Sequence, residues 1–286
     1  MGLGLQETFR SNKVNLQRML SCIHGPEFQM IESSLTYLTI KLISVPIFIW
    51  AVSFVARRWG PYYGGFLLGL PVASGPVVFF LALEQGNSFA SGAAQGTLMG
   101  LISLSTSSLV YSRLVFRFGW LTSLIGFCMT YLTIALFLDF ISAPLVFSFL
   151  VVVLFVLTIW RLMPEAEKQF SHVSPNWDIP ARMIAATLLV LLITGSAMVL
   201  GPHLSGLLTF PIYATILAAF THKFCGASAC ALFLKGLVTG CFSAGVFFFM
   251  IAYLIVQIGL VLATFLASLA AIAMHSLLLY LSIRNN

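Results

Sequence analysis

Gly86-Asn87-Ser88-Phe89-Ala90-Ser91-Gly92-Ala93-Ala94-Gln95-Gly96-Thr97-Leu98-Met99-Gly100-Leu101-Ile102-Ser103 decides how this chain is read, because its punctuation returns 140 residues later. Gly86, Ser88, Gly96, Gly100 and Ser103 fall on Gly226, Ser228, Gly236, Gly240 and Ser243. The same offset carries Gly119 onto Gly259 and Pro71 onto Pro211, and one further residue brings Gly60-Pro61 onto Gly201-Pro202. Glycine makes up 22 of 286 residues, so each glycine coincidence has a chance of about one in 13, and the run reads as a duplication.

Composition fixes the solvent. The chain is 60% hydrophobic and 8% charged with a mean hydropathy of +1.03, whereas soluble domains carry roughly 25% charged residues. An all-α integral membrane protein is predicted, since several apolar runs reach the roughly 20 residues a helix needs to cross the hydrocarbon core. Nine spans are read at about 35–56, 61–83, 89–112, 119–140, 142–160, 182–200, 203–221, 229–253 and 259–282, and a tenth short helix within 226–283 stays open. No stretch alternates with period two over the length a membrane barrel strand requires.

Five spans per period is an odd number, so matching helices enter the bilayer from opposite sides and the repeat is inverted, five helices followed by four. The expected organisation is an N-terminal tail over 1–34, surface-lying or disordered, a first membrane repeat over 35–162, a connector over 163–180 and a second repeat over 181–286. The first residues lack the apolar core of a signal peptide. The connector, with Glu165, Glu167, Lys168, His172 and Asp178, reads as a solvated tether.

The net charge of +6 is dealt out between spans rather than gathered on one polar face, so no nucleic-acid partner is expected. Arg57, Arg58, Arg113, Arg117, Arg161, Lys168, Arg182, Lys223 and Arg284 lie in odd-numbered loops or at the C-terminus. The positive-inside bias places those loops and the C-terminus in the cytoplasm, and an inner-membrane location is expected. Arg10, Lys13 and Arg18 in the tail run against that bias. Cys22, Cys128, Cys225, Cys230 and Cys241 form no metal-ligand spacing and read as small apolar residues.

The second span, from Gly60-Pro61 through Gly64-Gly65 and Gly69 to Pro71-Val72-Ala73-Ser74-Gly75-Pro76, is expected to be broken, and so is its partner around Pro211. A proline removes one backbone hydrogen bond, and unpaired backbone at membrane depth is tolerated only in protein or beside a wet cavity. Paired interruptions at matching positions point to a substrate site. Its candidate residues are Pro71, Ser74, Gly75, Pro76, Ser103, Pro211, Tyr213, Lys235 and Ser243, with Lys235 either snorkelling or holding an anionic group. Glu84 and His275 are the candidates for proton coupling. The stripes Gly92-x-x-x-Gly96-x-x-x-Gly100 and Gly236-x-x-x-Gly240 read as close helix-packing faces against the broken helices.

No hydrolase, phosphate-loop or dinucleotide signature is present, so catalytic residues, metal and cofactor are all expected to be absent. Gly60-Pro61, Gly64-Gly65, the Pro71–Pro76 break, Leu83-Glu84-Gln85-Gly86, Phe210-Pro211-Ile212-Tyr213-Ala214-Thr215 and Thr221-His222-Lys223 resemble a group of uncharacterised bacterial multi-pass inner-membrane proteins over about residues 55–255. That resemblance implies no activity. In architecture alone the chain is similar to inverted-repeat carriers of the bile-acid, auxin or proton-antiporter type. The expectation is a secondary transporter in contact with membrane lipid, moving a small, anionic or amphipathic solute. The alternative is a non-transporting membrane subunit or scaffold, and contacts between copies of the chain stay open.

Overall fold

Glycine and proline set the helix boundaries. Residues 45–59 are helical, and Gly60 closes that helix by donating its N–H to Ala56 O at 3.1 Å. Its φ of +105° is one that a side chain resists. Pro61 then opens α1 (Pro61–Leu68), at a position where the missing N–H would have had no partner anyway. Gly86 repeats the device at φ +90°, donating to Ala82 O before α2 (Asn87–Leu114) begins. The other elements are α3 (Trp120–Asp139), α4 (Leu145–Leu162), α5 (Asp178–Ile258) and α6 (Leu260–Arg284). Gly226 has φ +88°, and Gly119 and Gly259 each stand immediately before a helix, α3 and α6.

The computed structural model describes residues 43, 45–71, 75, 78–79, 82–83, 86–141, 143–166, 175 and 177–284, without the side chains of 139, 189–212 and 283. The tail over 1–34, most of the connector, Cys22, Ser74, Pro76 and Glu84 lie outside the described residues, as does the side chain of Pro211. The helices above belong to one unit, Val45–Asn286.

Straight, the 81 residues of α5 would reach about 120 Å, several times a membrane's thickness. Instead Arg182 Nη1 donates to Thr221 Oγ1 at 3.1 Å, and Cys230 Sγ lies 3.4 Å from Ala218 O. The run therefore reverses between Arg182 and Thr221, and again at Gly226. The expected sixth, seventh and eighth spans fall inside this one helical run. Pro211 lies between Arg182 and Thr221, inside the stretch where the run turns back, and a proline can bend a helix without ending it.

Four helices among the described residues are long and apolar enough to cross a membrane, which makes this a membrane-embedded chain: Trp120–Leu138, Leu145–Leu162, Tyr213–Ile258 and Leu260–Ser282. The windows of α3, α4 and α6 are 22%, 22% and 17% buried against 50% for Tyr213–Ile258. The first three therefore present their apolar faces outward, with Leu154, Phe155, Phe265 and Ile272 exposed, while Phe233, Leu237, Phe248 and Ile251 of α5 sit at the centre. Among the expected spans that are not in the four is α2, because of its serines. Ser103, Ser105, Ser107, Ser108 and Ser112 are all buried, and Ser107 and Ser108 return their hydroxyls to carbonyls four residues back. Enclosed by neighbouring helices, α2 does not need a lipid-facing apolar surface.

Contacts separate two ends of the bundle. At one end Arg57 meets Asp178, Tyr111 meets His222, Arg113 meets Leu162 O, and Lys223 lies over Trp120. At the other, Ser91 donates to Ala252 O and Gln95 to Ala143 O. The segment after Gly226 runs antiparallel to α2, since Ser91 pairs with Ala252 while Leu98 and Leu101 reach Gly245.

Candidate functional site

The backbones of α1 and α5 touch. A Cβ on Gly65 would run into Phe233 O, one on Gly236 into Tyr62 O, and one on Gly240 would lie 2.6 Å from Phe66 O and 2.7 Å from Gly69 Cα. Of the two glycine stripes, the one on α5 thus meets the broken helix as expected. On α2, among the described residues, nothing lies within 4 Å of a Cβ on Gly92 or Gly96, and Gly100 has Tyr131 Oη at 3.8 Å.

Just beyond this crossing α1 stops. Pro71 has no N–H, Leu70 donates to Leu67 O in a tightened turn at 3.1 Å, and Gly75 then donates to Pro71 O at 2.8 Å. Gly75 itself lies beneath the Phe247 ring, 3.2 Å from where a Cβ would be. Beside the break is a cavity of about 10 Å³, room for about one water molecule. It is lined by Leu68 and Leu70 from the break, Tyr213 and Ala214 following Pro211, and Phe48, Leu104 and Leu237. The neighbourhoods of Pro71 and Pro211 therefore share one small space, with the buried Tyr213 carrying the phenol on its wall and meeting Phe48 edge-on at 6.2 Å.

A second polar locus lies against Phe66 of α1. Ser243 Oγ and His275 Nδ1 share a 3.1 Å hydrogen bond whose direction follows the imidazole tautomer. The His275 ring stacks on Phe66 with centroids 3.6 Å apart. Ser243 stands 17 residues past Gly226 and 16 before Gly259, about 25 Å along the axis from either break and so midway through the bundle. Two candidates that the sequence assigned to different roles are thus one pair. Ser103 is also buried, and its hydroxyl has no partner among the described residues.

Lys235 stands apart. Leu237 lines the cavity, and a residue two positions earlier lies about 200° away around the helix. Its Nζ sits over the Trp160 ring, 5.9 Å from the centroid. Next to it, Thr239 Oγ1 accepts from Tyr62 Oη at 3.2 Å and Trp160 Nε1 at 3.1 Å, and donates to Lys235 O at 2.8 Å. Nothing in the sequence singled out Tyr62, Trp160 or Thr239, whose association is long-range.

The connector's end is also more than a tether. Asp178 is 1% exposed and accepts from Arg182 Nε at 2.9 Å and Arg57 Nη2 at 3.2 Å, with Arg57 also donating to Pro175 O. The signal available was an acid in the first turn of a helix with a base four residues on. Among the described residues no three His, Cys, Asp or Glu side chains gather as metal ligands. Comparison with protein-family models, curated proteins and solved structures finds no match.

Proposed function

We propose that this chain is a secondary membrane transporter built from two inverted repeats, moving a small anionic or amphipathic solute by alternating access through the region between Leu70 and Tyr213. The observation that carries the reading is the antiparallel packing of α2 against its counterpart after Gly226, the two helices that share the repeated glycines. Gly86 and Gly226 have matching φ values of +90° and +88°, and helices start directly after Gly119 and Gly259, at the same 140-residue offset. Halves of opposite orientation can exchange shapes and so open one site to either face. Among the described residues the α5 stripe is closed on α1 while its counterpart on α2 meets no backbone, an asymmetry that fits this scheme.

In this reading the basic end faces the cytoplasm of a bacterial inner membrane, and α6, leaving Gly259 at the opposite end, brings the C-terminus to that same side. The cations there favour an anionic solute. His275, paired with Ser243 midway through the bundle, is the described residue best placed for proton coupling; Glu84 is the second candidate.

Access can be tested without knowing the solute. In a cysteine-free background, Leu70→Cys and Tyr213→Cys should react with a membrane-impermeant maleimide from both sides of oriented vesicles, each side in a fraction of molecules. Protection of both positions from both sides would remove the transporter reading. It would favour the scaffold alternative, to which the cavity's volume of only about 10 Å³ lends its own support. Once a solute is found, proteoliposome uptake that keeps its proton dependence in both Glu84→Gln and His275→Gln would remove both residues from coupling.

A further inference from the structure

We propose that Lys235, Trp160, Tyr62 and Arg161 form a binding site for the headgroup of an anionic phospholipid at the basic end of the bundle. The site is separate from the cavity and independent of the transport reading.

Depth carries the first part of the argument. Counted along the sequence, Lys235 falls inside the eighth span, where a cation would be costly. The packing places it elsewhere. Phe149 stacks on Phe249 and Trp160 meets Thr239, so α4 and this leg of α5 run antiparallel in a register that sets Lys235 beside positions 163–164. Helix α4 ends at Leu162. The Lys235 backbone is therefore level with the end of a lipid-facing helix, and its ammonium lies over Trp160 in the last turn of that helix, where headgroups begin.

Chemistry carries the second. Trp and Tyr favour the membrane interface, and a basic pocket between helices on the cytoplasmic side binds anionic headgroups. The Thr239 hydroxyl fixes Trp160 and Tyr62 by accepting from both, and so holds the indole face beneath Nζ. Lys235 is partly buried and makes no ion pair with a described carboxylate, and its charge complements that of an anionic headgroup. Arg161 is exposed on the adjoining turn of α4, and the outer face of that helix offers Leu154, Phe155 and Leu157 to an acyl chain. A phosphodiester carrying its own apolar chains satisfies both the cation and the apolar face of α4.

The test is native mass spectrometry of the full chain released from micelles containing dioleoyl phosphatidylglycerol or dioleoyl phosphatidylcholine. Wild type should retain the anionic lipid preferentially. Lys235→Gln should lower that preference about five-fold, the worth of one cation near an anionic surface, and leave phosphatidylcholine retention unchanged. Lys235→Arg should keep it. Trp160→Leu, which removes the ring under the ammonium, should lower it roughly two- to five-fold. Unchanged phosphatidylglycerol preference in Lys235→Gln overturns the site. Displacement of the lipid by millimolar inorganic phosphate overturns the lipid assignment, since the anion alone would then suffice. Should Lys235→Gln fail to fold, the arginine and Trp160 variants decide, and equal loss in both, or in neither, counts against the proposal.

Discussion

Gly96 and Gly236 occupy equivalent positions in the two glycine stripes, yet substitution by alanine should act on them with opposite sign. The pair Gly100 and Gly240 extends the same comparison. At Gly240 the new Cβ would sit 2.6 Å from Phe66 O and 2.7 Å from Gly69 Cα. Contacts of this kind ordinarily lie at about 3.5 Å, so α1 and α5 must part by about 1 Å. Both obstacles are backbone, so no side-chain rotation relieves them. Overpacking of this type costs about 1–3 kcal/mol, and parting the helices also loosens the Phe66–His275 stack. At Gly96 the methyl group meets nothing within 4 Å among the described residues, and glycine inside a helix is about 1 kcal/mol less favourable than alanine. Thermal unfolding in detergent reads both. Taking about 2–4 °C per kcal/mol for a chain of this size, Gly240→Ala and Gly236→Ala should lower the midpoint by several degrees, and Gly96→Ala should leave it unchanged or raise it by about 2–4 °C. Destabilisation by Gly96→Ala as large as that by Gly236→Ala would show the α2 stripe to be packed as well, and the asymmetry would be wrong.

Other substitutions follow from the same contacts. Asp178→Asn leaves the buried Arg182 without its carboxylate and should cost about 3–5 kcal/mol by thermal or denaturant unfolding. Arg57→Gln, at a side chain that is 37% exposed, should cost no more than about 1 kcal/mol, and equal effects would show that Asp178 serves Arg57 rather than Arg182. Ser243→Ala removes His275's hydroxyl partner midway through the bundle and should destabilise by about 1–3 kcal/mol, whereas Ser103→Ala, at a hydroxyl without a described partner, should be neutral or stabilising. If the transporter reading holds, Gly96→Leu should fold normally yet abolish access from one side in the maleimide assay, because the α2 stripe must close in the alternate state.

Much of the local structure was legible in the residues. Gly60-Pro61 reads as the end of one helix and the start of the next, and the chain does so. The stop at Pro71 follows from its missing N–H. The loops read as basic do meet at one end. The site was legible only in outline: the cavity does lie beside Pro71 and the residues after Pro211, but His275 and Ser243 were named for separate roles, and Lys235, named with the cavity residues, lies about 200° around its helix from Leu237.

By itself the sequence determined the solvent, the helical class and some of the points where helices stop, Gly60-Pro61 and Pro71 among them, because hydrophobic length, glycine φ and the proline nitrogen act within a few residues of themselves. Only the tertiary structure decided that Gly236 is closed by the backbone of α1 and that Gly96 meets no described neighbour, that Lys235 is level with the end of α4, and that Asp178 is buried between two arginines. Each of those depends on the register of helices whose residues are tens of positions apart. A four-residue glycine spacing looks the same on either helix until a neighbouring backbone arrives to fill it.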